Sequence, residues 1–401
     1  MSIAFDIFNI VLLAIMFGVL GAWVYFAGYI SHSFRKAPRL NGTVHTNASP
    51  RVDVIVPARN EERFIGKCLE SILNQDYPNY SIIAVDDSST DRTAQMIKSY
   101  AEKSRKVVFV EAGPKPDGWA GKNWACYQGY LKSDADLLLF TDADSEYSKS
   151  LVSLAVSRVM SEGLDALTVI PRLVCIDPWT KFTLPFLSTF LHSRYSPLRV
   201  NDPAHGIGYF FGSFYIIKRK VYEAIGTHSD VRNELVEDGA LGSRVKKRGF
   251  KLKMFRGEHL FSAVWARDFS SLWNGLGRLI IPLYAISKFK AIGIFLVSFF
   301  LFLAPFLVLP YSLAFMEVNI ITKMLLFISS IVCMLITASG VVEARVGLKI
   351  NPLYALAAPL GAVIIAFGFL SGIIKAASKK GVEWRDRDYV YSLYSSRGFK
   401  L

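Results

Sequence analysis

Apolar residues follow two patterns along this chain. In four places they run on without interruption: 7–34, 291–316, 324–342 and 350–374 contain no Asp, Glu, Lys or Arg. A helix needs about 20 consecutive apolar residues to cross the hydrocarbon of a bilayer, so each run predicts a transmembrane helix. Between Arg35 and Lys290 the pattern changes. Short Val- and Ile-rich runs alternate there with segments whose apolar residues recur at helical spacing, as in a parallel sheet covered by helices. Strands are predicted at 52–56, 81–85, 107–110, 137–140 and 166–170. Helices are predicted at 61–74, 122–132 and 148–160, with one more after the acidic turn that begins at Asp86. The expected organisation is an N-terminal anchor (1–34), an α/β domain (50–270), an interfacial helix (271–290), a membrane bundle (291–375) and a basic tail (376–401). The stretches 182–191 and 276–286 are too short to span and are expected to lie in the membrane interface.

Charge sets the expected orientation. Arg35, Lys36 and Arg39 follow the first run, and Lys288 and Lys290 precede the second. Cytoplasmic flanks carry the basic excess, so the α/β domain is expected in the cytoplasm of a multi-pass cell-membrane protein. The same basic cluster lies on the wrong side of the first run for a cleaved signal peptide. Three further crossings would carry the tail outside, although it holds Lys375, Lys379, Lys380, Arg385 and Arg387. Either the earlier helices set the orientation or one C-terminal run is re-entrant, with Pro305, Pro310, Pro352 and Pro359 able to break a helix. The net charge of +13 comes with no nucleic-acid motif, which leaves attraction to anionic lipid as its simplest reading. The four cysteines are scattered without ligand spacing and are expected to be reduced and structural.

Ligands of open α/β sheets collect beyond the carboxyl ends of the strands. There this chain carries Ala58-Arg59-Asn60-Glu61, Asp86-Asp87, the stretch 113–121 and Thr141-Asp142-Ala143-Asp144. One acidic turn is commonly a helix cap, but four polar loops on one rim favour a site. Asp142 and Asp144 end a buried strand with two carboxylates, an oxygen-rich setting for Mg²⁺ or Mn²⁺. No GxxxxGK[ST] and no GxGxxG follows a strand, which excludes a P-loop NTPase and a dinucleotide-binding domain. An acidic rim with a metal suits a nucleotide diphosphate whose base and ribose are bonded by Asn60, Glu61 and Asp87.

The ordered motifs VIVPARNEE, VDDSSTD, GWAGKNWA, TDADS and VEDGALGSRVKKRG resemble those of membrane-bound family 2 glycosyltransferases with the GT-A fold. GWAGKNWA is similar to the subgroup of ceramide glucosyltransferase and the hopanoid and carotenoid glycosyltransferases. The resemblance implies an α/β, Rossmann-like nucleotide-diphospho-sugar transferase domain. It implies that Pro57, Asn60, Glu61 and Asp87 line the nucleoside with Asp86 nearby, that Lys122 approaches the donor phosphates, and that Asp144 holds the metal while Asp142 holds the ribose or the metal. In the acidic pair Glu237-Asp238, Asp238 would be the base of an inverting displacement. Taken alone, that pair reads equally as the acidic first turn of a helix whose far end carries Lys246, Lys247 and Arg248. The run 206–214 is either core packing or the acceptor side of the pocket, with Gly212, Ser213 and Phe214 as its candidates. The (Q/R)xxRW element of processive members is missing, and Arg267 and Trp273 are weak candidates for its role. The expected activity is transfer of one sugar, UDP-linked, to a membrane lipid. A processive polysaccharide synthase and a non-catalytic membrane scaffold are the alternatives, and no nucleic-acid partner is expected.

Overall fold

The computed structural model describes residues 3–42 and 49–378, with the backbone of 382–383 and 388–389. Most of the basic tail therefore lies outside the described residues. The chain divides into two compact units, an α/β unit of residues 37–174 and 195–265, and a helical unit of residues up to 36, 175–194 and 266–378.

Ten strands belong to two sheets of the α/β region: β1 Val52–Ala58, β2 Tyr80–Asp86, β3 Val107–Glu111, β4 Leu137–Phe140, β5 Ser145–Tyr147, β6 Ala166–Ile170, β7 Arg172–Cys175, β8 Tyr215–Lys218, β9 Leu252–Arg256 and β10 Phe261–Ala266. Seven of them form one sheet in the order β3-β2-β1-β4-β8-β6-β9. The sheet is mixed rather than parallel throughout, because β8 runs antiparallel to both β4 and β6. Alternate residues feed two apolar layers, as a strand's period of two requires. Val52, Val54, Val56, Ile82 and Leu139 pack with Ile65, Leu69 and Ile72 of the helix Ile65–Leu73 and with the helix Leu151–Ser161. Ile55, Ile83, Val85, Leu138 and Phe140 pack on the other face with the helices Gly121–Lys132 and Glu237–Lys247.

Two details fix the rim where those elements end. β1 was expected to stop before Pro57 but runs on to Ala58, because its pairing with β4 is over at Ile55↔Phe140. The imide nitrogen of Pro57 faces that vacated side, where no ladder bond is lost. The helix Gly121–Lys132 lies close on the sheet because Gly129 has no side chain: a Cβ there would stand 2.6 Å from Ile55 Cγ2. Lys122, two turns back along the same face, is thereby brought to the end of the strands.

In the helical unit four helices are long and apolar enough to cross a membrane: Ile3–Lys36, Lys288–Ala314, Ile320–Gly347 and Pro352–Ala377. They coincide with the four uncharged runs. The short stretches 182–191 and 276–286 fall within the helices Pro178–Tyr195 and Phe269–Ile286, neither of which meets the criteria for a span. The second span stays continuous through Pro305 by widening into a π-turn at Phe299–Leu303. In this stretch the indole N–H of Trp23 donates to the carbonyl of Leu301 at 2.8 Å. Further polar contacts join the spans, Tyr311 Oη donating to Asn9 Oδ1 at 2.9 Å and Asn319 Nδ2 to Asp6 Oδ1 at 3.0 Å.

Candidate active site

The strand order reverses between β1 and β4, and their carboxyl ends open a crevice of the kind in which α/β sheets hold ligands. One wall is two loops laced together. Asp87 N–H donates to Ala58 O at 2.8 Å, and the Arg59 guanidinium donates to Asp87 O at 2.7 Å and Ser88 O at 2.8 Å. Asn60 sits in the left-handed region at φ 53, a conformation its short amide tolerates, and its Oδ1 accepts from Thr90 N–H at 2.9 Å. Glu61 N–H donates to Thr93 Oγ1 at 2.7 Å. Glu61, Asp86 and Asp87 are all buried. Asp86 Oδ2 accepts from Ser89 N–H at 3.2 Å, whereas its buried Oδ1 has no hydrogen-bond partner among the described residues. A buried carboxylate oxygen left so is costly, and a ligand's O–H or N–H is what would satisfy it.

The other wall is charged. Lys122 Nζ lies 2.7 Å from Asp142 Oδ1 and 2.8 Å from Glu237 Oε1, bridging the end of β4 to the first turn of the helix Glu237–Lys247. Asp238, next in that turn, accepts from Gly239 N–H through Oδ1 and from Gly212 N–H through Oδ2, both at 2.8 Å. Burial and then the Glu237 carboxylate push the Asp238 carboxyl up to about 7, against the opposing pull of Lys122. Burial also works against the charge of Lys122, but Asp142, Glu237 and Asp238 override it and hold the ammonium well above its ordinary value. Asp238 is half-buried, so it stays within reach of a substrate. A carboxyl poised near neutrality beside a fixed cation is an arrangement for taking a proton.

Residues 53–226 match the model of glycosyl transferase family 2. This chain carries a family 2 glycosyltransferase domain. Among relatives, the chain is 26% identical over 348 residues to the 4,4'-diaponeurosporenoate glycosyltransferase of Staphylococcus aureus (strain USA300), and 27% identical over the same length to that of the bovine strain RF122 / ET3-1. Each match covers 84% of this chain and 88% of the relative. Among solved structures, the mannosyltransferase PcManGT from Pyrobaculum calidifontis, in complex with GDP-Man and Mn2+, aligns over 91% of this chain and 99% of its own. Its TM-score of 0.53 at 16% identity identifies the fold as GT-A.

Within the α/β unit Pro57 and Asp86 lie at the ends of β1 and β2, Asn60, Glu61, Asp87 and Asp142 in the rim loops, and Lys122, Glu237 and Asp238 in the first turns of the helices that meet them, the last two beyond the residues that the family model matches. Asp142 and Asp144 flank the buried Ala143 after β4. Among the described residues no group of three or more His, Cys, Asp or Glu comes together to hold a metal. Two carboxylates nonetheless fit Mg²⁺ or Mn²⁺ when the remaining ligands are water and a substrate diphosphate. The three acceptor-side candidates separate. Gly212 touches Asp238, Ser213 contributes its carbonyl to Thr141 Oγ1 at 2.9 Å, and Phe214 is fully buried against Tyr147 and Phe261 as core. Arg267 and Trp273 belong to the helical unit. Arg267 N–H donates to Ser271 Oγ at 2.8 Å, and Trp273 lines an apolar cavity of about 570 Å³ with Trp179, Phe269, Val363, Ile364 and Phe367. Sequence reasoning placed Thr141 on the rim without a role for its hydroxyl and did not single out Thr168; both hydroxyls pin the turn around Gly212, and no spacing rule marks a hydroxyl that bonds backbone.

Proposed function

We propose that the chain transfers one sugar, with inversion, from a UDP-linked donor to a membrane lipid at the cytoplasmic face. The observation that carries this reading is Asp238: a half-buried carboxyl raised to about 7, held by two backbone N–H groups in the first turn of a helix facing the Asp142 rim. An inverting displacement needs one such base opposite the leaving group. In this reading Asp238 takes the acceptor proton, Glu237 sets the ionisation of Asp238, and Lys122 exchanges part of its bonding to Asp142 for the donor phosphates. Asp86 Oδ1, with Asn60, Glu61, Asp87 and Pro57, receives the nucleoside. Asp144, with Asp142, would hold Mg²⁺ or Mn²⁺, which would supply positive charge to offset that of a departing diphosphate.

Four candidate spans and the basic residues flanking the first and second support a membrane acceptor and a cytoplasmic domain. The acceptor named for the Staphylococcus relatives, a diaponeurosporenoate, supports an apolar acceptor. The test uses the full chain in nanodiscs made with native lipid extract, Mn²⁺ and a panel of radiolabelled nucleotide sugars. Wild type is expected to move label from a UDP-sugar into small organic-extractable product. Asp238→Asn is expected to lose about 10²–10⁴-fold of that rate while still binding UDP. Asp144→Ala is expected to lose both activity and Mn²⁺ dependence. Undiminished transfer by Asp238→Asn sinks the base assignment, and label in high-molecular-weight material would make the chain a polymer synthase.

A further inference from the structure

No side chain caps the helix that begins at Glu237, and among the described residues the hydrogen bonds to the Asp238 carboxylate come from backbone. Gly239 supplies one N–H from the same helix, and Gly212 supplies the other from a separate segment. Gly212 lies in the turn 211–214, closed by Phe214 N–H to Phe211 O at 2.9 Å. Two threonines pin that turn. Thr168 Oγ1 accepts from Phe211 N–H and donates to Phe214 O, both at 2.9 Å, and Thr141 Oγ1 donates to Ser213 O. Since Thr141 precedes Asp142, one rigid turn connects the donor-side carboxylate to the base.

The segment also packs too closely on the helix to admit side chains. A Cβ on Gly208 would stand 2.0 Å from Gly242 O, and one on Gly242 would stand 2.7 Å from Phe210 N. At Gly212 the atoms in the way are catalytic: a Cβ would meet Asp238 Oδ2 and Lys122 Nζ, each at 2.9 Å. The φ of Gly212 is not positive, so what the position demands is space and not conformational freedom.

We propose that Gly212 is a positioning residue for the base, its N–H aiming the Asp238 carboxylate and its missing side chain keeping the space beside Asp238 and Lys122 open for the acceptor hydroxyl. This rests on the reading of Asp238 as base. The hydroxyl oxygen bonds the sugar's anomeric carbon and its proton passes to Asp238. The bond from that carbon to the diphosphate breaks, and the diphosphate leaves with the electron pair. Glu237, Lys122 and Asp142 are the charged groups around Asp238, with the phenol of Tyr209. Against that background the Gly212 N–H favours the ionised carboxylate, and displacing that N–H from the carboxylate with an added Cβ moves the ionisation to higher pH.

The test measures kcat, donor KM and the pH profile of the full chain in nanodiscs for wild type, Gly212→Ala, Gly206→Ala and Asp238→Asn. Gly212→Ala is expected to lower kcat roughly 10²-fold, the size of an ångström-scale misplacement, with donor KM within threefold and the acidic limb moved to higher pH. Gly206→Ala, on the same segment but with nothing within 4 Å of its Cβ, is expected to match wild type. Near-normal kcat in Gly212→Ala, or a loss with the acidic limb unmoved, overturns the proposal. Should Gly212→Ala lose UDP binding, the near-isosteric Thr168→Val decides: a kcat-only loss of about tenfold with a shifted limb supports the role, and wild-type turnover overturns it. Normal turnover by Asp238→Asn removes the base reading itself, an outcome separate from any result at Gly212.

Discussion

Asp238 is subject to opposing fields. Burial and the neighbouring Glu237 favour its neutral form, while Lys122 and the Gly239 N–H favour its ionised form, and the carboxyl comes to rest at about 7. A base must be deprotonated to act, so kcat/KM is expected to be flat above pH 7 and to fall about tenfold per pH unit below it. The sign of each neighbour is separately testable. Glu237→Gln removes a negative charge, so the acidic limb is expected to move to lower pH; a limb that stays in place would show that Glu237 does not set the ionisation of the base. Asp238 as a candidate base was legible in the sequence from Glu237-Asp238 and the motifs before it. The sequence marks Gly212 only as an acceptor-side candidate; its bond to Asp238 was not legible, because a backbone N–H carries no residue-type signal, and neither do the bonds that the hydroxyls of Thr141 and Thr168 make to backbone.

At the scale of elements, what could be read depended on how hard the physics presses on the pattern. β4 and β6 have the bounds expected of them, since each is a short apolar run walled in by neighbours on both faces. β8 was not anticipated. It follows directly on an aromatic-rich run, so no alternation marks where Tyr215–Lys218 begins, and its antiparallel insertion between β4 and β6 depends on partners far along the chain. Pro57 misled by its usual meaning as a strand stop, because its missing N–H falls where β4 has already ended. The spans were legible because the bilayer dictates their length, but the hydrogen bond between the first and second was not. Trp23 donates that hydrogen bond to Leu301 O in the π-turn of the second span. Inside a membrane no water replaces it, so Trp23→Phe is expected to cost about 1–2 kcal/mol in reversible unfolding in detergent micelles. The same substitution at the exposed Tyr25 is expected to leave stability within about 0.5 kcal/mol. Equal effects at the two positions would remove the bond to Leu301 O as the reason for a tryptophan at 23.

For the whole molecule, the open question of orientation turns on the charges between spans. With the α/β unit in the cytoplasm after the first span, the loop between the second and third spans lies outside and the loop between the third and fourth lies inside. The outer loop holds Glu317 with no Lys or Arg before Lys323, and the inner side carries Arg345 at the end of the third span and Lys349 in the loop, so both obey the basic-inside bias that the first flank sets. Only the tail opposes it, and charge C-terminal to the last span usually weighs less than the first helix. The four native cysteines are buried, which leaves a low background for labelling single introduced cysteines. In intact cells a membrane-impermeant maleimide is expected to label Glu317→Cys, and to reach Lys103→Cys and Arg345→Cys only after permeabilisation. A cysteine appended after Leu401 is expected to label from outside, as four crossings require. If that one label appears only after permeabilisation while the other three behave as expected, one C-terminal segment is re-entrant and the basic tail has prevailed. If Lys103→Cys labels in intact cells, the domain faces outward, away from cytoplasmic nucleotide sugars, and the proposed donor loses its access.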